Sequence, residues 1–300
     1  MISVGIFNGY YPYTLEESIR RIKSHGFTSV QLDLAFKEMD LSLDSLNRDK
    51  CHLIRNTFRD ANLPIVAISG YTNITHPNPE KRKENINNLK TILKFARDLG
   101  SPYVISETGT FNEDSDWVYH EKNGTEEAYQ TLLELVTDIT KFAYDHGSVF
   151  LIENYVNNII GTVDQVLRLF SDVNHDSLGL LMDPANYFSD LNINDVDGEI
   201  NRIFNALGDR IKIAHAKDCK TTTNLEEKHA DIDASEGHTF RGSGSVELPA
   251  PGLGILNYDL YLNRLSREHP NIPLIIEHLD ESDIPRAKKF IDDKLRKVGC

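Results

Sequence analysis

The chain has 300 residues, of which 40% are hydrophobic and 26% are charged, a composition typical of a globular protein with a sizeable core. Its formal net charge of −14 opposes binding to phosphate backbones and to anionic lipids, so we expect neither nucleic acid nor a membrane as a partner. The N-terminus lacks the features of a secretion signal, and no apolar run is long enough to cross a bilayer, so we expect a cytoplasmic protein. The three cysteines, Cys51, Cys219 and Cys300, lie far apart in the sequence and are predicted to be free thiols.

Short runs of apolar and β-branched residues alternate along the whole chain with longer segments of helical periodicity. This alternation predicts eight strands, each followed by a helix. The predicted strands are 2–7, 28–34, 64–70, 102–107, 148–153, 178–183, 210–215 and 273–278. The predicted helices begin with one capped by Thr14 and continue at about 43–62, 79–99, 125–147, 162–173, 195–207, 258–269 and 282–297.

The regularity of this pattern indicates the fold class. Strands that are apolar along their length and joined by helical crossovers are typical of a parallel sheet covered on both faces. Eight such units in 300 residues predict a closed (β/α)8 TIM barrel that forms one domain over residues 1–300. The alternative is an open Rossmann-like sheet, but the segment after the first strand, FNGYYPYT, lacks the G-x-G-x-x-G pattern. A Gly- and Pro-rich segment at about 216–257 predicts one long loop of functional interest.

Four consecutive predicted strands, the fifth to the eighth, end in a side chain that can bind a metal ion. These side chains are Glu153, Asp183, His215 and Glu277. The carboxyl ends of barrel strands meet at one rim, where neighbouring strands lie about 5 Å apart. Three carboxylates at this spacing would repel one another unless a cation were shared between them. We therefore expect one divalent metal ion, with Mn²⁺, Mg²⁺ or Co²⁺ favoured by the oxygen-rich set and Zn²⁺ also compatible.

Each of these residues also has an ordinary structural interpretation when it is considered alone. Asp183 precedes Pro184 and could form a turn or cap a helix. A glutamate at a strand end is a common salt-bridge partner, and a histidine there is a common hydrogen-bonded core residue. The occurrence of all four on successive strands favours the metal site over four separate structural roles.

Further polar residues at the same rim are candidates for substrate binding. They are Asn186, Lys217, Asp218, Arg241, Glu107 and His76. Asn186 could orient a substrate hydroxyl or cap the next segment, whereas Arg241 could clamp an anionic or hydroxyl-rich substrate or remain solvated. Lys217 and Asp218 follow His215 closely, and the Asp218 carboxylate is a candidate partner for its imidazole. The remaining two are expected as polar lining, and an apolar wall for a sugar is expected from Phe7, Tyr71, Tyr155 and Trp117.

The segments LIEN, LLMDPAN, IAHAKD, PGLGILNY and LIIEH, in this order, resemble the xylose-isomerase-like TIM-barrel superfamily of sugar and sugar-phosphate isomerases and epimerases. The resemblance spans the whole chain. It implies that Glu153, Asp183, His215 and Glu277 are metal ligands. It also places the superfamily's Lys and Asp after the His ligand at positions 217 and 218, and its Gly-x-Gly loop at positions 252 and 254.

The resemblance also implies a reaction. A divalent ion chelated by a carbonyl and its neighbouring hydroxyl would acidify the adjacent C–H and stabilise an enediolate. In the ketose 3-epimerases of this superfamily the two Glu ligands are the acid and base, which would make Glu153 and Glu277 catalytic. Return of the proton to the opposite face gives an epimer, and return to the neighbouring carbon gives an isomer. The expected partner is a small-molecule sugar or sugar phosphate, and a homo-oligomer stays open.

Two departures from the ketose 3-epimerases keep other reactions open, because Asn186 stands in place of a His and Ile159 in place of a Glu. Dehydratases of keto-cyclitols or dehydroshikimate and hydroxypyruvate isomerase share the ligand order. Abasic-site endonucleases with three zinc ions are the least favoured relatives, since their Asp-x-x-His pair is Asp-x-x-Asn here and the net charge opposes DNA. A non-catalytic sugar-binding barrel would need an incomplete ligand set, and this set is complete.

Overall fold

The computed structural model describes residues 1–222 and 240–299, without the side chains of residues 240 and 241. The barrel strands are β1 Ser3–Phe7, β2 Ser29–Leu32, β3 Ile65–Ser69, β4 Tyr103–Glu107, β5 Val149–Glu153, β6 Leu178–Met182, β7 Ile211–Ala216 and β11 Pro273–Ile276. These eight parallel strands close into a barrel in the spatial order β1-β11-β7-β6-β5-β4-β3-β2. The predicted (β/α)8 TIM barrel is therefore confirmed.

A helix follows each barrel strand and packs on the outside of the barrel. The helices are α1 Leu15–Ser24, α2 Arg48–Asp60, α3 Pro79–Leu99, α4 Glu126–Asp145, α5 Val163–Val173, α6 Val196–Leu207, α7 Tyr258–Glu268 and α8 Ile284–Lys297. The α1 helix begins after Thr14, whose side chain accepts a hydrogen bond from the Glu17 amide, as predicted. The α2 helix begins later than the sequence pattern indicated, because Asn47 caps it through the Lys50 amide.

The Gly- and Pro-rich segment after β7 is less irregular than the sequence predicted. It contains three short strands, β8 Lys220–Thr221, β9 Phe240–Arg241 and β10 Val246–Leu248, and β10 pairs with both of the others in antiparallel register. The part of the predicted loop at 223–239 lies outside the described residues.

The interior of the barrel explains where the polar side chains point. Six neighbouring strands each contribute one buried apolar residue to a layer inside the barrel: Ala67, Ile105, Leu151, Leu181, Ile213 and Ile275. Side chains on a strand alternate between its two faces, so the residue two positions later points to the same interior. Those residues are Ser69, Glu107, Glu153, Asp183, His215 and Glu277. The apolar layer is therefore followed, at the carboxyl rim, by a layer of polar and charged groups.

Two glycines make room for this apolar layer. A Cβ atom at Gly5 would lie 2.6 Å from Ile275 Cδ1, and one at Gly179 would lie 2.7 Å from Leu151 Cδ2. Larger residues at these positions would push the interior side chains apart. Close packing below the rim thus fixes the height at which the polar side chains meet.

The cysteines and the helices test two further predictions from the sequence. Cys51 and Cys219 are buried free thiols, as predicted, and Cys300 lies outside the described residues. Within residues 1–222 and 240–299, no helix combines the length and the apolar character that crossing a membrane requires.

Candidate active site

The four predicted metal ligands converge at the carboxyl rim of the barrel. Glu153 ends β5, His215 lies on β7, and Asp183 and Glu277 directly follow β6 and β11. One potential ligand atom from each residue lies within 4.8 Å of the others, and all four residues are buried. His215 Nδ1 lies 3.0 Å from Glu277 Oε2, 3.5 Å from Glu153 Oε1 and 3.8 Å from Asp183 Oδ2. The arrangement brings three carboxylates and one imidazole around a common point.

Gln31, on β2, orients the imidazole of His215. Its Oε1 accepts a hydrogen bond of 2.7 Å from His215 Nε2. This bond keeps a proton on Nε2, so Nδ1, which faces the three carboxylates, is the nitrogen that would bind a metal ion. His215 Nδ1 has no partner with hydrogen-bond geometry. A metal ion at the common point would use this otherwise unpaired buried atom.

The carboxylate of Glu153 is held by two donors. Asn186 Nδ2 donates a hydrogen bond of 2.8 Å to Glu153 Oε1, and the Tyr71 hydroxyl donates to Oε2. Tyr71 in turn lies 3.5 Å from Gln31 Nε2, so the same amide is connected to both His215 and Glu153. Burial and the charge of Glu153 raise the pKa of Tyr71, which keeps the phenol protonated as a donor.

Lys217 is the cation of the site. Its Nζ lies 2.7 Å from Asp183 Oδ2, 3.9 Å from Glu153 Oε1 and 3.8 Å from Glu277 Oε2. Although burial alone would lower the pKa of Lys217, the three carboxylates raise it. For Asp183, burial alone would raise the pKa, but Lys217 and His215 hold it well below its usual range. The ammonium group and the carboxylates therefore stabilise one another's charged forms.

His278 supports Lys217 and follows the ligand Glu277 directly. Its Nδ1 donates a hydrogen bond of 2.9 Å to the Leu248 carbonyl, which leaves Nε2 as an acceptor 3.4 Å from Lys217 Nζ. Its φ of 59° is in the left-handed region, where a residue other than glycine is strained. Burial and the charge of Lys217 lower the pKa of His278 well below its usual range, so the ring is neutral.

A cavity of about 330 Å³ opens above the cluster. Its lining includes two of the four converging residues, Glu153 and Glu277, together with Lys217. The rest of the lining is Phe7, Tyr10, Tyr71, Thr72, Asn73, Glu107, Gly109, Asp116, Trp117 and His278. The predicted aromatic wall is formed in part, because Tyr155 is buried and lies outside this lining. A cavity of this size, lined by aromatic residues and several carboxyl groups, suits a small hydroxylated molecule.

The structure brings Lys217, Asn186 and Glu107 to the site but not Asp218 or His76. The prediction that Asp218 pairs with the His215 imidazole is wrong, since Gln31 occupies that position. Asp218 instead accepts hydrogen bonds from the backbone amides of Cys219, Gly252 and Leu256 and so fixes the Gly-x-Gly loop.

His76 and Arg241 are the two remaining candidates for substrate binding, and the structure describes the side chain of His76 only. His76 lies in the loop before α3, where its Nδ1 accepts a hydrogen bond of 3.1 Å from the Asn78 amide, and it does not line the cavity. The side chain of Arg241 lies outside the described part of the chain. Its predicted contact with substrate stays a prediction.

Sequence reasoning missed the roles of Gln31, Tyr71 and His278. An amide in the buried strand TSVQLDL at the interior-facing position was the available signal for Gln31. Tyr71 was expected only as apolar wall, and nothing in the sequence indicated that His278, next to a ligand, takes a left-handed conformation. These residues meet the cluster from β2, from the loop after β3 and from the loop after β11, so their contacts depend on barrel closure.

The donor set fits a single divalent ion. The carboxylates of Glu153, Asp183 and Glu277 carry three negative charges, Lys217 carries one positive charge, and a divalent ion would bring the sum to zero. The unpaired Nδ1 of His215 supplies the nitrogen ligand. Carboxylate oxygens with one imidazole suit Mg²⁺, Mn²⁺ or Zn²⁺, and the identity of the ion is not fixed by this geometry.

Fold and site together define an eight-stranded α/β barrel with a buried group of four side chains that can hold a metal ion at its carboxyl rim. The chain belongs to the xylose isomerase-like TIM barrel family, whose model matches residues 19–295. The predicted family resemblance is therefore confirmed. No curated protein matches the sequence.

Solved structures of the same fold include enzymes with different names. A xylose isomerase-like TIM barrel protein from Mycobacterium smegmatis in complex with magnesium has a TM-score of 0.69 and 17% identity, covering 99% of this chain and 96% of that chain. An L-ribulose 3-epimerase has a TM-score of 0.69 and 15% identity, with 99% and 96% covered. The probable 3-DHS dehydratase AsbF from Bacillus anthracis has a TM-score of 0.69 and 13% identity, with 100% and 99% covered. At these identities the similarity shows the fold.

Proposed function

We propose that this protein is a divalent-metal-dependent sugar isomerase or epimerase that removes a proton next to a carbonyl group. The observation that carries the proposal is the position of Glu153 and Glu277, which belong to the metal-competent cluster and also line the cavity. A substrate in this cavity would lie against two carboxylates, an ammonium group and the open side of the cluster. The family and the epimerase among the similar structures support this reaction class.

A bound divalent ion would polarise the substrate carbonyl and stabilise the negative charge that develops on its oxygen. The residues of the chain supply the proton transfers. One carboxylate takes the proton from the carbon beside the carbonyl, the C–H electron pair forms the C=C bond of the enediolate, and the carbonyl oxygen becomes negative. The second glutamate, protonated from solvent after this first step, gives a proton to the opposite face, which yields an epimer, and the first glutamate releases its proton to solvent. Return to the neighbouring carbon gives an aldose or ketose isomer.

The two glutamates differ in their surroundings, and this difference suggests separate roles. Both oxygens of Glu153 accept hydrogen bonds, from Asn186 and Tyr71, which orient the carboxylate and occupy lone pairs that could otherwise take up a proton. In the described part of the chain, the Glu277 carboxylate has no hydrogen-bond donor of this kind and lies near Lys217 and His215 only as an ion pair. We therefore assign the initial proton removal to Glu277 and the return of the proton to Glu153. Lys217 is placed to stabilise the developing oxyanion.

Other reactions of the fold predict different products. A dehydratase would start with the same proton removal and then lose a hydroxide, and the probable dehydratase among the similar structures keeps this reaction as the alternative. An abasic-site endonuclease would need ligands for three metal ions, whereas residues 1–222 and 240–299 offer one group of four potential ligand residues. The acidic net charge of −14 also disfavours a nucleic-acid substrate.

Solvent exchange followed by mass spectrometry and NMR tests the proposal. The protein is first stripped of metal, loaded with Mn²⁺, and incubated in deuterated water with a panel of keto and aldo sugars. We expect one deuterium at a carbon beside the carbonyl, together with a new epimer or isomer, and we expect Glu277→Gln to abolish the exchange. Loss of water from the substrate would indicate the dehydratase, and no exchange with any sugar would refute the proposal.

Metal content separates a catalytic defect from a loss of the ion. Elemental mass spectrometry of the purified protein should show about one divalent ion per chain, which a Glu153→Gln/Asp183→Asn double variant should lose. Glu113→Gln, an exposed glutamate outside the cavity, is the matched control and should keep both the ion and the exchange reaction.

A further inference from the structure

The carboxylates of Glu153 and Glu277 are held in different ways. Two side chains, Asn186 and Tyr71, donate hydrogen bonds to Glu153 and orient it directly. Among the described residues the Glu277 carboxylate has no such donor, and its Oε2 lies 3.0 Å from His215 Nδ1 as an ion pair. Since Glu277 comes directly after the last residue of β11, its direction depends on how the backbone at the end of that strand is fixed.

Hydrogen bonds fix the backbone on both sides of the Glu277 Cα atom. The Glu277 amide donates a bond of 3.1 Å to the Ala216 carbonyl on β7. The next amide, that of His278, donates a bond of 2.7 Å to the Tyr10 hydroxyl. These two bonds hold the planar peptide groups that precede and follow Glu277, so together they limit the φ and ψ rotations that set the direction of its side chain.

The Tyr10 hydroxyl replaces an acceptor that β1 no longer supplies at this height. Within a parallel sheet, successive residues of a strand turn their amides to opposite neighbours. Because the Glu277 amide bonds to β7, the His278 amide faces β1, the other neighbour of β11. The β1 strand ends at Phe7, and the short 3₁₀ helix Asn8–Tyr10 follows it. The last residue of that helix supplies the missing oxygen from its side chain.

The same bond stabilises an unfavourable backbone conformation at His278. Its φ of 59° lies in the left-handed region, and such a conformation persists in a residue other than glycine only where its surroundings fix it. Two contacts fix it here, because the Tyr10 hydroxyl holds the amide and the Leu248 carbonyl accepts from the ring. Without the first contact the backbone at His278 would relax, and the peptide group that follows Glu277 would turn with it.

We infer that Tyr10 is a positioning residue for Glu277. Through the His278 amide, its hydroxyl directs the Glu277 carboxylate to the point that the four metal-competent side chains share and to the cavity that Tyr10 and Glu277 both line. The inference rests on the proposed function, in which Glu277 is a metal ligand and removes the substrate proton. It adds a residue that supports both tasks from outside the cluster of four.

Replacing Tyr10 by phenylalanine removes the acceptor and keeps the ring. In the metal-free protein, the His278 amide of Tyr10→Phe should exchange with deuterated water about fivefold or more faster than in wild type, as expected for the loss of one hydrogen bond. The Glu277 amide should stay protected, since its bond to Ala216 is unchanged. The affinity for metal should fall about 10- to 100-fold, and kcat should fall by a similar factor with little change in KM.

Three measurements test the inference. NMR at single-residue resolution follows the exchange of the two amides in the metal-free protein, and competition with a chromophoric chelator gives the affinity for Zn²⁺. Rates of deuterium incorporation into the sugar that wild type exchanges give kcat and KM of the Mn²⁺-loaded protein. Tyr13→Phe is the matched control from the same segment, because the Tyr13 hydroxyl donates to Glu281, which Arg21 also holds. It should leave all three quantities unchanged.

The outcomes separate this inference from the proposed function. An unprotected His278 amide in wild type, or one that exchanges equally fast in Tyr10→Phe, would overturn the inference. Equal acceleration of both amides would also overturn it, since Tyr10 would then support the whole strand end and not Glu277 in particular. So would an affinity for Zn²⁺ equal to that of wild type. If wild type exchanged no sugar, the proposed function would be refuted, and the amide exchange and the metal affinity would still decide the role of Tyr10.

Discussion

Replacing Gln31 by leucine should weaken metal binding although Gln31 does not reach the common point of the four ligands. Gln31 Oε1 holds His215 Nε2 at 2.7 Å and so determines which ring nitrogen faces the carboxylates. Leucine has a similar volume but no acceptor, so the imidazole loses both its orientation and its preferred tautomer. The bonds from Gln31 Nε2 to Ser69 and Tyr71 are longer, at 3.2 and 3.5 Å, and should contribute less.

The expected loss of affinity is about 10- to 100-fold, as for other residues that orient a metal-bound histidine. This corresponds to about 1.4–2.8 kcal/mol of binding free energy. The metal-free protein should also lose about 1–3 kcal/mol of unfolding free energy, since the buried Nε2–H of His215 is left without an acceptor. Gln31→Glu keeps an acceptor at the same place and should retain the affinity of wild type.

Competition for Zn²⁺ or Mn²⁺ with a chromophoric chelator measures the affinity, and urea unfolding of the stripped protein measures the stability. Gln130→Leu, on the exposed face of α4, is the matched control for loss of a glutamine and should change neither quantity appreciably. An affinity equal to that of wild type in a folded Gln31→Leu protein would show that His215 is oriented without Gln31, and the reasoning about the tautomer would be refuted.

Three further predictions concern packing, protons and thiols. Leu181→Ala removes a fully buried side chain from the barrel interior and should lower the free energy of unfolding by about 2–5 kcal/mol in denaturant titrations; a loss below about 1 kcal/mol would contradict the packing described. Burial alone would lower the pKa of His215, but Glu277 and Glu153 raise it well above its usual range, so the metal-free protein holds a proton there at neutral pH. Metal binding must displace that proton, so the affinity for metal should rise with pH. Calorimetry in two buffers of different ionisation enthalpy should detect the proton release, and its absence would argue against a protonated His215. Burial, with a smaller effect of Asp98, raises the pKa of Cys51 to about 11, so at pH 8 this thiol should be alkylated much more slowly in the native than in the unfolded protein, as site-resolved mass spectrometry would show; equal rates would contradict its burial.

The architecture and the central cluster of this protein can be predicted from its sequence. Eight alternating units predicted the barrel. The alternation of side chains along each strand predicted the cluster. Its members each lie two positions after an apolar residue that fills the interior, and they are Glu153, Asp183, His215 and Glu277. A local period of two residues is readable in the sequence, and parallel strands bring equivalent ends to one rim. The convergence of these side chains followed from local pattern and topology alone.

The side chains that support the cluster could not be predicted in this way, because they come from distant parts of the chain. Gln31 is 184 residues from His215 in the chain, and Tyr71 is 82 residues from Glu153, so their hydrogen bonds depend on how the closed barrel brings separate strands and loops together. Asp218 lies three residues after His215 and was expected to hold its imidazole. Its carboxylate instead accepts hydrogen bonds from the amides of Gly252 and Leu256. Proximity in sequence does not fix the direction of a loop side chain, because unpaired backbone amides compete for the same carboxylate.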